Sequence, residues 1–220
     1  MCARYSVGKT PAELAAELGA HLATDETRAR YNVAPSQAAP MLVAAPERRL
    51  GVARFGWRRE AGAGLLLNAR AETVLVLPTF RAAIERRRSL VPADGFYEWK
   101  ARAASRRAPR EAFFVHRHGA LLTLAGLFVV DRPASEPIAS GPRAAFVILT
   151  TAPSPLVAEI HDRMPLVVPE ALRDAWMDPR VPAGALLPEL VQTDPAFEVR
   201  AVSPRVGSPA LDEPSLRNPL

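Results

Sequence analysis

Cys2 is the only cysteine of the 220-residue chain, and it directly follows the initiator methionine. Loss of Met1 would give this one residue both a free α-amino group and a thiol. Such a residue can condense with an aldehyde through its amine to form an imine, and its thiol can then close a five-membered thiazolidine ring. The α-amino group titrates near pH ~8 and the thiol near ~8.5, so both nucleophiles are partly available at neutral pH. The alternative is that Cys2 is a small buried hydrophobe, the usual role of a single cysteine.

A second polar cluster lies at residues 68–73, with the sequence Asn-Ala-Arg-Ala-Glu-Thr. The amide of Asn68 can donate and accept hydrogen bonds together, which suits an amine or a hydroxyl, and the guanidinium of Arg70 can hold a phosphate. An asparagine and an arginine that follow a strand are also commonly structural. Both interpretations stay open on these residues alone.

A third cluster, residues 90–100, predicts a turn at 93–95 that leads into an aromatic-flanked strand. The two-residue period of a strand places Phe96 and Glu98 on one face and Tyr97 and Trp99 on the other. A carboxylate beside a large apolar ring loses hydration, which raises its pKa and prepares it for proton transfer at neutral pH. The alternative is an exposed strand glutamate paired with an arginine.

The fourth cluster, residues 159–165, brings imidazole, carboxylate and guanidinium groups together where a helix is predicted to end. His161 is placed there for proton transfer or for binding an anion beside Arg163. The alternative is an ordinary surface or core histidine. His21, His116 and His118 have no comparable neighbours in the sequence.

Several other kinds of site are not indicated. One cysteine and four scattered histidines give no zinc-ligand spacing, and neither a GxSxG elbow nor a GxGxxG or Walker loop is present. We therefore expect no metal and no cofactor.

The composition favours one compact domain over residues 1–220, because 49% of the residues are hydrophobic and 23% are charged. Residues 203–220, with four prolines, are expected to form a loosely ordered C-terminal tail. The N-terminus has no apolar signal core, and the longest apolar run, residues 120–130, is too short to cross a bilayer. We expect a cytoplasmic monomer, associated with the nucleoid if the source is bacterial.

The formal net charge is +5, and Lys9 and Lys100 are the only lysines among 28 basic residues. Arginine-rich surfaces suit phosphates and base stacking. Nucleic acid is therefore a candidate partner, although GC-rich coding also enriches arginine.

The elements that must position these clusters are mostly short strands. Apolar stretches at 41–45, 51–55, 112–116, 121–130 and 144–151 predict strands, and a capping box at Thr10 predicts a helix that Gly19 ends. Further helices are expected at 79–88, from 154 through 160, and from 169 through 177, with a surface excursion at 131–143. The fold class is therefore α+β with a mainly antiparallel sheet and a few flanking helices.

The clusters, in this order, resemble the SRAP family of abasic-site processing proteins, once described as SOS-response-associated peptidases. Five stretches carry the resemblance and together span most of the chain. They are Met-Cys-Ala-Arg-Tyr at 1–5, Arg-Tyr-Asn-Val-Ala-Pro at 30–35, Asn-Ala-Arg-Ala-Glu-Thr at 68–73, Val-Pro-Ala-Asp-Gly-Phe-Tyr-Glu-Trp-Lys at 91–100 and Ile-His-Asp-Arg-Met-Pro at 160–165.

The resemblance implies a barrel-like fold and an enzyme that crosslinks its N-terminal cysteine to the ring-opened aldehyde of an abasic site in single-stranded DNA. Cys2 would then be the nucleophile, and Asn68 would orient it and sense the sugar. Glu98 would shuttle protons, and His161 would stabilise the sugar oxygen. The same imine chemistry implies a lyase activity, and the older family label implies autopeptidase activity.

The resemblance also implies a DNA surface. Arginines would hold phosphates around the lesion, and the stretch 32–35 would lie along the DNA and help part the strands. The expected DNA-binding residues are Arg4, Asn32, Pro35, Arg70, Trp99 and Arg163.

The chain departs from the family pattern at three places. Ala3 replaces the usual glycine, Arg58-Arg59-Glu60 follow Trp57 in a shortened loop, and Val206-Gly207-Ser208 lack the asparagine-rich closing stretch. Two alternative functions remain: an N-terminal-nucleophile cysteine hydrolase or peptidase, and a non-covalent single-strand-binding module in which Trp57, Tyr97 and Trp99 stack on bases.

Overall fold

One run of chain, residues 88–100, links the two main sheets of the protein. Its first part is a strand of one sheet and its second part is a strand of the other, with Asp94 between them. The computed structural model describes residues 2–23, 28–44, 47–58, 64–100, 110–130 and 142–220.

The strands of the described residues are mostly short. They are β1 (Tyr5–Val7), β2 (His21–Leu22), β3 (Arg30–Val33), β4 (Ala38–Ala44), β5 (Arg48–Phe55), β6 (Trp57–Arg58), β7 (Leu65–Leu66), β8 (Asn68–Arg70), β9 (Arg88–Ala93), β10 (Gly95–Lys100), β11 (Glu111–His116), β12 (Leu122–Val130), β13 (Ala144–Thr151), β14 (Met164–Pro165) and β15 (Glu198–Val202).

The first sheet closes on itself as a five-stranded barrel in the order β13-β12-β9-β4-β5. All neighbours along this path are antiparallel, and parallel pairing of β13 with β5, Ala145 opposite Arg54, completes the ring. Strands β8 and β14 add to β13 beyond the ring, and β2 adds to β5. The barrel and the sheet next to it confirm the expected α+β class with mainly antiparallel pairing.

The second sheet is antiparallel, in the order β15-β11-β10-β1-β3. Strand β1 therefore lies between two neighbours, with Tyr5 opposite Phe96 on one side and Val33 on the other. A chain terminus normally frays, but a terminal segment paired on both edges is held in place. The sheet thus fixes the backbone directly after Cys2.

The helices surround the sheets. Within the described residues they are α1 (Pro11–Leu18), α2 (Pro78–Arg86), α3 (Pro155–Ala158), α4 (Arg173–Met177) and α5 (Ala183–Gln192), with 3₁₀ turns at Glu170–Leu172, Pro204–Gly207 and Pro214–Arg217. None of these helices is long and apolar enough to cross a membrane.

The start of α1 forms as its sequence predicts. The Thr10 hydroxyl accepts from the backbone N–H of Glu13, and the Glu13 carboxylate accepts from the Thr10 N–H. Gly19 ends the helix with φ of 58°, a left-handed conformation that glycine adopts without a steric penalty.

Two expectations about elements need correction. The helix expected from 169 through 177 is a 3₁₀ turn followed by the short α4. Residues 203–220 are not a loose tail: Val206 and Leu216 are buried and pack with Tyr97, Phe114 and their neighbours into a second hydrophobic cluster beside the main core. The shortened loop at 59–60 and most of the excursion at 131–143 lie outside the described residues.

Candidate active site

Cys2 lies at the entry to β1, at the junction of the two sheets. Its side chain is fully buried, and the Tyr97 backbone N–H donates to the Arg4 carbonyl at 2.9 Å, which extends the pairing with β10 toward Cys2. Burial raises the pKa of the Cys2 thiol well above its usual value, and the nearby charge of Glu98 raises it further. A thiol whose pKa is raised in this way is protonated at neutral pH.

Asn68 reaches Cys2 from the barrel. It is the first residue of β8, which pairs in parallel with β13 so that Asn68 lies opposite Ile148. Its amide nitrogen donates to the Cys2 carbonyl at 3.1 Å and makes a longer contact of 3.4 Å with the Ile148 carbonyl. Its amide oxygen is buried and has no hydrogen-bond partner among the described residues. A buried acceptor of this kind is available to a donor on a ligand.

Glu98 approaches from β10. The predicted alternation holds, because Phe96 packs into the main core while Tyr97 packs into the second cluster. Glu98 itself is 2% exposed. Burial raises the pKa of its carboxyl group to about 7, and the charge of Asp162 contributes in the same direction. A carboxyl group that titrates near neutrality can both give and take a proton at physiological pH.

His161 follows α3, and its Nε2 lies 3.9 Å from Oε2 of Glu98. Its Nδ1 accepts a hydrogen bond of 3.0 Å from the backbone N–H of Arg163. Burial lowers the pKa of this imidazole below its ordinary value. The neutral ring therefore carries its hydrogen on Nε2, the nitrogen that faces Glu98.

Asp162 offers a competing contact to His161, since its Oδ1 lies 2.9 Å from the same Nδ1. A neutral Nδ1 that accepts the backbone N–H cannot also donate to a carboxylate. The Asp162 side chain is 88% exposed, so water satisfies it, and we assign the backbone bond.

Arg163 is held by its own chain. It forms a two-pronged ion pair with Glu72, with N–O distances of 2.6 and 2.8 Å, and it donates to the Thr150 carbonyl at 2.6 Å. Arg70, by contrast, is exposed and has no hydrogen bond or salt bridge to any described residue. Of these two candidate phosphate ligands, only Arg70 has its guanidinium available.

Arg4 and Asn32 bind the C-terminal segment. Arg4 donates to Asn32 at 3.0 Å and to the carbonyls of Val206 and Gly207 at 2.7 and 2.9 Å. Asn32 is fully buried, and its amide nitrogen donates to three carbonyls of residues 206–211 at 2.9 to 3.1 Å. In the structure both side chains fasten the end of the chain, and Asn32 has no exposed surface with which to touch DNA.

The remaining two expected DNA-binding residues are half-buried. Trp99 packs against the second cluster, on the face of β10 opposite Glu98, and Pro35 directly precedes Ser36, which has a φ of 70°. Neither belongs to the cluster formed by the other candidates. The structure thus gathers Cys2, Asn68, Glu98 and His161 at one place and leaves Asn32 and Trp99 in structural surroundings.

Sequence reasoning missed two features that shape this site. Glu72 stands inside the motif at 68–73, yet its pairing with Arg163, 91 positions away, was not expected. The role of residues 206–211 as acceptors for Arg4 and Asn32 was also missed, because a proline-containing stretch without periodicity gives no local signal of packing. Within the described ranges, no three His, Cys, Asp or Glu side chains come together as a metal site.

The sequence and the fold of this chain are similar to those of known proteins. Residues 1–209 match the family model described as SOS response associated peptidase (SRAP). The chain is 33% identical over 195 residues to the abasic site processing protein YoqW of Bacillus subtilis, with 84% of each chain covered. It is 31% identical over 188 residues to the abasic site processing protein YedK of Escherichia coli, covering 80% and 79% of the two chains. A crystal structure of a protein from Bacteroides thetaiotaomicron shares the fold over both whole chains, with a TM-score of 0.83 at 20% identity.

Proposed function

Because the chain belongs to the SRAP family, we propose that it processes abasic sites in DNA by forming a covalent crosslink through Cys2 once Met1 has been removed. The substrate is single-stranded DNA in which an abasic sugar has opened to its aldehyde. The product is a thiazolidine that joins the protein to the lesion and shields it.

The convergence of four side chains from four separate segments carries this proposal. The Cys2 backbone is held by the Asn68 amide at 3.1 Å, the charge of Glu98 acts on the Cys2 thiol, and the Glu98 and His161 side chains lie 3.9 Å apart. A buried nucleophile, a carboxyl group that titrates near 7 and a neutral imidazole are the groups that imine formation requires. A purely structural cysteine would not need a titrating carboxyl group near it, with an imidazole beside that carboxyl group.

The first chemical step is opening of the sugar ring and formation of the imine. Glu98 takes the proton of the hemiacetal hydroxyl as the ring opens and delivers it to the ring oxygen, which becomes the 4′ hydroxyl, while the Nε2–H of His161 stabilises that oxygen with a hydrogen bond. The α-amine of Cys2 then attacks the aldehyde carbon, and loss of one water leaves the imine. The carboxylate of Glu98 carries the two protons of the amine to the carbonyl oxygen, which leaves as that water.

The second step is ring closure. The Cys2 sulfur attacks the imine carbon, its thiol proton passes to the carboxylate of Glu98, and Glu98 then gives that proton to the former imine nitrogen. The net reaction from aldehyde to thiazolidine releases one water. The competing fate of the imine is β-elimination of the 3′ phosphate, which breaks the strand. A thiol held at the imine carbon favours closure, because the attack is intramolecular.

DNA binding in this proposal depends chiefly on exposed arginine. Arg70 lies two residues after Asn68 on β8 and its side chain is exposed, so it is placed to hold a phosphate near the lesion. Arg163 is paired with Glu72, and Arg4 donates to the C-terminal segment. Both residues act first by holding in place the segments that surround the site.

The test uses protein shown by mass spectrometry to lack Met1, incubated with single-stranded oligonucleotides that carry either an abasic site or an intact base. We expect a band on denaturing gels that resists heat, appears only with the abasic strand and is lost in Cys2→Ala. Protein that retains Met1 is the matched control and should give no thiazolidine. An adduct that persists in Cys2→Ala would overturn the proposal.

Two other outcomes would identify the alternative functions. Cys2-dependent cleavage of a peptide, without an adduct on the abasic strand, would indicate an N-terminal-nucleophile hydrolase. Salt-sensitive binding of both oligonucleotides without an adduct would indicate a non-covalent binding module.

A further inference from the structure

A cavity of about 310 Å³ lies at the far end of β1, near Gly8. Gly8 is six residue steps along the chain from Cys2, and extended chain of that length places the cavity about 20 Å from the thiol. It is therefore distinct from the candidate active site. Its lining includes four basic side chains and two stacked rings: Lys9, Arg117, Arg200, Arg217, Phe114 and His116.

Arg200 is the central cation of this cavity. It lies opposite Phe114 in the pairing of β11 with β15, and its guanidinium stacks on that ring with 5.3 Å between the guanidinium carbon and the ring centre. Phe114 in turn stacks on His116 at 5.4 Å and 21°. This stack fixes the orientation of the guanidinium before any ligand arrives.

No described residue neutralises the charge of Arg200. It forms no salt bridge with any described carboxylate, and its Nε is buried without a hydrogen-bond partner in the described part of the chain. A buried donor on a fixed cation costs free energy unless a ligand or water satisfies it. An anion in the cavity would supply the missing acceptor.

The other charged groups leave the cavity with an excess of positive charge. Arg217 is paired with Asp94 at 2.6 Å, and Lys9 is paired with Glu17. Asp94 also accepts from the Ser6 hydroxyl and the Gly8 N–H, so its carboxylate is held in place by these donors and by Arg217.

Two further groups complete the charges around the cavity. Glu198 lies 4.0 Å from the imidazole of His116 and 3.9 Å from that of His118. Arg117 is exposed, with no ion pair to a described residue. Arg117 and Arg200 therefore remain as two cations without an ion pair to a described residue, and the charge of Glu198 offsets only one of them, so the cavity keeps an excess of positive charge.

We propose that this cavity binds a phosphate group, with Arg200 and Arg117 as its principal ligands. Guanidinium groups match the geometry of phosphate oxygens, and two of them balance the charge of a phosphate dianion or hold one diester with excess attraction. The phosphate belongs either to a nucleic acid strand whose lesion lies in the active site or to a free phosphate compound. Both sources share this chemistry, and the experiment separates them.

The first arm measures inorganic phosphate binding by titration calorimetry at low salt, with the full-length protein. We expect Arg117→Gln to weaken binding at least about threefold and the double variant with Arg200→Gln at least about tenfold, while Arg81→Gln, an equal loss of charge at an exposed position on α2, leaves it unchanged. Arg200→Lys keeps the positive charge and tests whether the planar guanidinium group is needed. Circular dichroism checks that each variant is folded. Equal phosphate affinity in the parent and the double variant would overturn a free-phosphate source.

The second arm measures binding of an undamaged single-stranded oligonucleotide as a function of salt. If the strand supplies the phosphate, the double variant lowers the slope of log K against log salt by about 0.7 to 1.4, as expected for one or two lost contacts, and Arg81→Gln does not. Neither arm depends on the crosslinking reaction, so failure of that reaction leaves this test intact. No difference from the parent protein in both arms would exclude the site.

Discussion

The side-chain amide of Asn68 donates a 3.1 Å hydrogen bond to the backbone carbonyl of Cys2. This bond joins the barrel, through β8, to the N-terminal strand of the second sheet. It therefore sets the position of Cys2 relative to a site wall that is built from a different sheet. The adjacent Asn68 amide oxygen is buried and available to a donor on the substrate.

Replacement of Asn68 should affect reaction more than binding. Asn68→Asp keeps the shape but loses the donor, so the Cys2 carbonyl would face a carboxylate oxygen and move away. We expect crosslinking to slow by about 10²-fold, the usual cost of a misplaced reacting group, while the affinity for undamaged single-stranded DNA changes less than about threefold. Single-turnover crosslinking and fluorescence anisotropy measure the two quantities. Asn218→Ala, at an exposed position, is the control, and equal losses in rate and affinity would make Asn68 a structural residue.

Glu98 should make both the reaction and the stability depend on pH. Its folded pKa of about 7 exceeds the ordinary value of 4.5, so between these values the folded state binds more protons than the unfolded state. The contribution of Glu98 to the free energy of unfolding is therefore largest below pH ~4.5. It falls by at most about 3 kcal/mol as the pH rises to 7.

Glu98→Gln removes this titration. We expect urea unfolding between pH 5 and 8 to show a flatter pH dependence in the variant than in the parent protein, and crosslinking to slow by at least about 10²-fold. Glu85→Gln, on the exposed side of α2, should change neither. A Glu98→Gln variant with the parent's pH profile for unfolding would show that the carboxyl group titrates normally.

Substitutions of Arg70 and Arg163 should have different effects on DNA binding and on crosslinking. Arg70→Gln removes an exposed cation, so DNA binding should weaken and the salt slope should fall by about 0.7 to 1. Arg163→Lys keeps the charge but loses the two-pronged pair with Glu72, so crosslinking should slow with little change in the salt slope. Anisotropy titrations from 50 to 200 mM salt separate the two effects. A loss of salt slope in Arg163→Lys would contradict the proposed division of roles.

Asn32 should behave as a residue of the protein interior. Its amide donates to three carbonyls of residues 206–211, so Asn32→Ala leaves buried acceptors unsatisfied. We expect a loss of about 2 to 4 kcal/mol in the free energy of unfolding, measured by urea denaturation. Asn218→Ala should cost less than about 0.5 kcal/mol. If Asn32→Ala weakened DNA binding without loss of stability, the side chain would act on DNA directly.

The sequence was informative where the signal is local. The capping box at Thr10 and the longer apolar stretches predicted α1 and most of β4, β5, β11, β12 and β13, because caps and apolar runs act within a few residues. The alternation in β10 correctly separated Phe96 from Tyr97. Two-residue strands such as β2 and β14 carry no such pattern, since their partners in space alone define them.

Only part of the candidate site could be predicted from the sequence. The chemistry of Cys2, Glu98 and His161 could be inferred from residue type, but their meeting depends on strand pairings across 90 or more residues, such as Tyr5 with Phe96. The same limit explains why the hydrogen bonds of Asn32 and Arg4 to the C-terminal segment were not predicted. The sequence around Arg4 and around Asn32 contains no pattern that predicts hydrogen bonds to the carbonyls of residues 206–211.

The central position of β1 has a consequence for the order of events during synthesis. Tyr5 pairs with Phe96, and at typical elongation rates that partner emerges roughly 5 to 18 s later. Until then the second sheet cannot enclose the N-terminus, and an enzyme that trims the nascent chain has free access to it. Once β10 docks, Cys2 is buried. If Cys2 reacts as proposed, Met1 is therefore removed most readily from the nascent chain, before the second sheet forms around β1.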